Sequence, residues 1–221
     1  MKNLIYLISF LMVSIFLTSC SKAPEGTKAV TEAAKNAPAK ASMAAATYKV
    51  DANSSVTWTG SKPGGKHMGK FTISNGELKV NDGNIEAGSF TIDMASNQVI
   101  DLKAGQGKEK LEGHLGAGDF FEIAKYPTGM FTLTSSKPVT GKPNVTHSLT
   151  GDLKMKDKVH SVTFDANINM GAGKVMAVTP SFTINRTNWG INYGSGIINT
   201  AKDKIINDEV AIVINLSATK S

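Results

Sequence analysis

Between residues 147 and 168 the chain alternates twice between apolar and polar side chains. Leu149, Gly151, Leu153 and Met155 share one parity, with Thr150, Asp152 and Lys154 between them. After Lys156-Asp157-Lys158 the pattern resumes as His160, Val162, Phe164, Ala166 and Ile168. Successive side chains of a strand point to opposite faces, so each run has one apolar and one polar side. Two such runs joined by a short polar turn predict a β-hairpin that is dry on one face and wet on the other. A dry face must be covered, and the cheapest cover is more strands of the same kind.

The rest of the chain supplies them. Tyr48-Lys49-Val50-Asp51 opens a strand, and Val56, Trp58 and Gly60 continue an alternation. Phe71, Ile73, Leu78 and Val80 follow, with Asn75-Gly76 between them, readable either as a hairpin turn or as a bulge in one bent strand. Phe90, Ile92 and Met94, then Phe131 and Leu133, then Phe182 and Ile184, and finally Val210, Ile212, Ile214 and Leu216 hold the same rhythm. Residues 103–118 break it. They lack β-branched side chains, and Lys108-Glu109-Lys110-Leu111-Glu112 predicts a short helix in a long connection. About eight to ten strands are expected, too cleanly alternating to be buried on both faces of a parallel sheet. An all-β sandwich and an all-β barrel both satisfy this pattern.

The N-terminus reads as an address. Lys2 precedes an apolar run over residues 4–17, which is too short to span a membrane comfortably. Leu17-Thr18-Ser19-Cys20 resembles a bacterial lipobox, which implies cleavage before Cys20 and acylation of its thiol and new amino group. Residues 1–20 are therefore expected to be a lipoprotein signal peptide. Residues 21–46, rich in Ala, Lys, Thr and Pro, are expected to be a flexible tether, and residues 47–221 the folded domain. Ser21-Lys22 gives no acidic export signal, so a periplasm-facing anchor in the bacterial envelope is expected, with the outer membrane favoured over the inner. The membrane, through acylated Cys20, is thus one expected partner.

The formal charge of +6 is spread along the chain. Removing Lys2 and the +2 of residues 21–46 leaves the domain at +3, with no basic cluster interleaved with aromatics. That argues against nucleic acid as a partner. The single cysteine excludes an intrachain disulfide and any multi-cysteine metal site. His67, His114, His147 and His160 form no ligand-spaced pair, so no metal is expected. Ser195 between Gly194 and Gly196 lacks the setting of a nucleophile elbow, and Gly171-Ala172-Gly173 lacks that of a phosphate loop. No catalytic residue and no cofactor is expected, and a homodimer is compatible with the sequence.

Taken in order, several motifs resemble the YceI-like family, also called the polyisoprenoid-binding or lipid-binding YceI domain. They are Tyr48-Lys49-Val50-Asp51; His67-x-Gly69-x-Phe71; Leu115-x-x-x-Asp119-Phe120-Phe121; and Lys125-Tyr126-Pro127-x-x-x-Phe131. Leu149-Thr150-Gly151-Asp152-Leu153, Val162-Thr163-Phe164, Arg186-x-x-Trp189-Gly190-Ile191 and Asp208-Glu209-Val210 complete the series. The chain departs from the family at Asp157, Ser161 and Trp189, where Gly, Pro and Phe are more usual.

The resemblance implies an extended, lipocalin-like antiparallel β-barrel that is not an enzyme and whose lumen takes a long-chain amphiphile, a polyisoprenoid or similar lipid. Phe71, Phe90, Ile92, Phe131, Leu133, Leu153, Met155, Phe164, Phe182, Ile184, Val210 and Ile212 are then the lumen-lining candidates. Parity alone cannot separate a lumen from a filled core, because both require the same pattern. A structural or interaction domain with no lipid ligand is the alternative. His67, from its motif, and Trp189 are candidates for the mouth. Arg186, the only arginine, is a candidate for a head-group contact through its planar fork, with a surface salt bridge as the rival role.

Overall fold

The computed structural model describes residues 23–196, 201 and 205–221. The expected signal peptide and Cys20 lie outside the described residues. The strands, in chain order, are β1 (Thr27–Lys28), β2 (Val30–Ala33), β3 (Ala46–Val50), β4 (Ser55–Lys62), β5 (Gly65–Asn81) and β6 (Asn84–Val99). After helix α1 (Lys108–Gly116) come β7 (Thr128–Pro138), β8 (His147–Met155), β9 (Lys158–Gly171), β10 (Lys174–Val178), β11 (Phe182–Asn185) and β12 (Glu209–Lys220). A 3-10 turn, Arg186–Trp189, follows β11. No helix among the described residues is long and apolar enough to cross a membrane.

The hairpin of residues 147–168 is β8 and β9, paired from His147↔Ala166 to Met155↔Lys158. Lys156, rather than Asp157, takes the left-handed turn conformation, with φ of 52°. Asn75-Gly76 does not turn. β5 runs through it, and the register against β6 shifts between Ile73 and Asn75. A further shift between Leu133 and Ser135 bends β7 against β8. Such irregularities bend a strand and increase its twist, so the long strands curve around their apolar side.

The extended lipocalin-like antiparallel barrel is corrected by the pairing. The described strands form one mixed, largely antiparallel 12-stranded sheet, in the order β1-β11-β12-β10-β9-β8-β7-β6-β5-β3, with β2 on β9 and β4 bridging β12 and β5. β1 runs parallel to β11. The sheet branches because β12 is long enough to split its edges among several short strands. Its Ala211–Asn215 stretch pairs with β4, its Ala218–Lys220 stretch with β3, and its other edge with β11 and then β10.

The expected flexible tether also differs from what is seen. Residues 27–33 are β1 and β2, seated on β11 and β9. β10 covers only Asn167–Gly171 of β9, so the edge of β9 at His160–Thr163 is free to pair with β2. The segment has few large apolar side chains. It is held by backbone hydrogen bonds and by Asp152, whose two carboxylate oxygens accept from the amides of Lys35 and Asn36 at 2.9 and 2.8 Å.

Candidate functional site

Inside the curved sheet lies an apolar cavity of about 770 Å³. It touches three apolar clusters. Phe71, Met94, Leu115 and Phe120 form one beneath α1; Val162, Phe164, Phe182 and Ile184 another; Ile73, Leu78, Leu133, Ile168 and Leu216 a third. All twelve lumen-lining candidates border this space. Phe164 and Phe182 stack with ring centroids 4.6 Å apart, and Phe131 packs against both Phe164 and Phe90. Phe90, Ile92, Phe131, Leu153 and Met155 are only half-buried although they point inward, because they also face the cavity.

The solvent-exposed residues among those bordering the cavity gather at one end. Lys62, Gly65 and Lys66 flank the β4–β5 turn, Gln106 and Gly107 lie just before α1 and Lys110 in its first turn, and Tyr193 is in the loop after the 3-10 turn. These elements are tied together. Ile100 donates its amide to the Met68 carbonyl at 2.9 Å, and Val99 donates to Glu112 Oε1 at 2.8 Å. The His114 ring meets Tyr193 edge-on at 4.7 Å. This end is the mouth.

His67 lies there, its Nδ1 2.9 Å from Asp101 Oδ2. Burial pushes the Asp101 carboxyl up, but the Met68 amide and His67 together outweigh it and leave the group below its ordinary value. Arg186 borders the cavity but is turned to the protein. It is 4% exposed, and all five of its N–H donors are engaged. They reach the carbonyls of Asn207, Ile191, Tyr193 and Ile206 and Asp208 Oδ1, at 2.7–3.1 Å. Burial lowers its pKa and Asp208 opposes that shift. The guanidinium therefore pins the loop after β11 to the segment entering β12 and keeps no donor for a head group. Trp189 does not border the cavity. It is fully buried, and its Nε1 donates to the Leu153 carbonyl at 2.9 Å, locking the 3-10 turn onto β8.

Two features escaped sequence reasoning. Lys62, Lys66 and Lys110 rim the mouth, and nothing local in the sequence separates them from other surface lysines. Gly69 and Gly151 face aromatic rings across the sheet. A Cβ on Gly69 would collide with Trp58, and one on Gly151 with Phe131. The signal for these was present, as small residues at inward parity beside strands that carry large rings.

The architecture defines a class, a β-sheet module whose fold can house a hydrophobic ligand. The chain belongs to the YceI-like domain family, which matches residues 48–218. The UPF0312 protein of Pseudomonas putida strain KT2440 is 34% identical over 136 residues, covering 59% of this chain and 65% of that one. A UPF0312 protein of Staphylococcus aureus is 29% identical over 114 residues, covering 49% and 62%. The matches thus span less than two thirds of these relatives. In fold, the chain resembles BcnA of Burkholderia cenocepacia, with a TM-score of 0.59 and 22% identity over 76% of this chain and 100% of that one. It also resembles a polyisoprenoid binding domain from Saccharophagus degradans implicated in plant cell wall breakdown, with a TM-score of 0.56 and 15% identity over 79% and 98%.

Proposed function

We propose that this protein binds a long-chain apolar or amphiphilic molecule, isoprenoid-like, in its cavity and carries or sequesters it. The observation that carries this reading is the cavity of about 770 Å³ walled by aliphatic and aromatic side chains. Its size lies within the range of small-molecule sites, roughly 300–1,000 Å³. Each methylene withdrawn from water contributes about 0.8 kcal/mol, so an extended chain gains affinity with few polar contacts. The twelve lining candidates are the wall in this reading, and His67 stands at the mouth. The fold shared with the S. degradans polyisoprenoid binding domain supports the ligand class.

The same reading places the protein in the bacterial envelope, anchored through acylated Cys20 and facing the periplasm. Solvent extraction and mass spectrometry of the purified full chain test the ligand. The expected result is a chain-like apolar molecule in stoichiometric amount. Repeated preparations that hold none, including ones incubated with candidate lipids, would overturn it.

A further inference from the structure

We propose that the cavity takes an amphiphile with an anionic head, a carboxylate or a phosphate ester, and that Lys62, Lys66 and Lys110 hold that head at the mouth. The inference rests on the reading that the cavity binds a chain-like ligand and adds the charge of its polar end. Among the described residues that border the cavity there is no Asp or Glu; the side chains that can carry charge are lysines, histidines and the internally satisfied Arg186. The three lysines converge from two elements. Lys62 and Lys66 flank the β4–β5 turn, where Lys62 pairs with Gly65 and Ser61 with Lys66, and Lys110 stands in the first turn of α1.

The carboxylates near this rim are turned elsewhere. Asp101 takes His67 Nδ1 and the Met68 amide. Glu112 takes the Val99 amide and faces Lys108 at 3.9 Å. Glu109 folds back on the Gly105 amide, and Asp119 faces His114 at 3.6 Å. Among the described residues none of them forms an ion pair with Lys62, Lys66 or Lys110.

An apolar wall beneath a one-signed rim strengthens the field at the opening. Lysine stems can lie along that wall while the ammonium groups stay wet. A chain seated in the cavity leaves its head among three positive charges. An anion there is attracted, a hydroxyl gains nothing comparable, and a cation is repelled.

The test compares 16-carbon chains that differ only in their heads, a carboxylate, an alkyl phosphate and an alcohol, each displacing an apolar fluorescent probe from the purified full chain below micellar concentration. Both anions are expected to displace the probe at about tenfold lower concentration than the alcohol, equivalent to ~1.4 kcal/mol. The gap should narrow as salt rises, since exposed charges are screened within about 8 Å at physiological ionic strength. It should vanish in Lys62→Gln/Lys66→Gln/Lys110→Gln and persist in the corresponding triple arginine variant. The order of the two anions distinguishes a fatty-acid-like from a prenyl-phosphate-like head.

Equal displacement by anion and alcohol would overturn the proposal and leave the cavity-binding reading standing. Failure of all three chains would overturn that reading itself. A glutamine variant that loses binding to vesicles of anionic phospholipid but keeps the carboxylate preference would also overturn it, assigning the lysines to a membrane surface instead.

Discussion

Replacing Asp152 by Ala should release the N-terminal strap while leaving the sheet beneath it intact. Asp152 is 9% exposed, and its carboxylate accepts from two backbone amides, Lys35 at 2.9 Å and Asn36 at 2.8 Å. Hydrogen bonds to a charged group are worth about 1.5–3 kcal/mol each. Lys35 and Asn36 are themselves exposed, so their freed amides find water and only part of that is lost. A net loss of about 1.5–3 kcal/mol for both is reasonable. Beyond its backbone pairing with β11 and β9, little else holds the strap. Ala29 is its buried apolar anchor, Val30 is 57% exposed, and the Lys28–Glu209 pair at 3.3 Å is a surface contact of small worth. The strap should therefore open as a unit of its own, below the global unfolding energy.

Hydrogen exchange reads this at the amides of Thr27 and Ala29, which donate to the carbonyls of Ser181 and Thr183. Since 1.4 kcal/mol is tenfold in an equilibrium constant, their exchange should accelerate by about ten- to a hundredfold, with β7–β8 amides unmoved. Exchange that stays at the wild-type rate would refute the reasoning. So would equal acceleration across β8 and β9, which would make the strap inseparable from the sheet.

Gly151→Ala should force the Phe131 ring off its glycine and into the cavity, costing about 1–3 kcal/mol; thermal unfolding should shift down, and affinity for an apolar probe should fall. Arg186→Gln strands the carbonyls of Asn207, Ile191, Tyr193 and Ile206 and leaves Asp208 without its cation. The expected loss is about 3–5 kcal/mol by urea titration, whereas a head-group role alone would leave the midpoint unmoved. His147 has its pKa lowered by burial, so the unfolded chain takes up a proton more readily than the folded one. Its contribution to stability is complete above the ordinary value of 6.5 and is lost as pH falls through that value toward the folded one. Denaturation at about pH 7.5 and about pH 5 should show that slope, and His147→Gln should flatten it.

What the sequence made legible is what periodicity can encode. The β8–β9 hairpin, the apolar face of every long strand and the helix beginning at Lys108 announce themselves in one-dimensional spacing. The strap does not, because its docking rests on backbone pairing and on an acceptor 117 residues away in sequence. Parity placed Asp152 on a wet face, and it did not foresee that another segment would cover that face. Arg186 shows the same blindness in reverse. Its planar fork suits a head group or a surface salt bridge equally well in sequence, but only the fold shows that four backbone carbonyls and the Asp208 carboxylate use all five donors. The branching of the sheet was hidden too, since alternation fixes which face a residue is on and says nothing about how many neighbours share one strand's edge.

Whether inward residues fill a core or wall a cavity turns on where the large rings go. Two aromatic side chains facing each other across a curved sheet would normally meet in the middle. Here Trp58 lies over Gly69, its direct cross-strand partner, and Phe131 lies over Gly151. Each ring occupies the space a partner's Cβ would take, so it is drawn back against the wall by a neighbour with no side chain. An inward glycine beside an aromatic is thus a spatial instruction that plain parity lacks. Filling the glycine restores the steric pressure that pushes the ring inward, which is why Gly151→Ala is the variant that most directly separates a cavity from a core. A cavity reading requires it to lower ligand affinity by more than the loss of stability explains. A filled core offers no such site to lose, and the variant would then change stability alone.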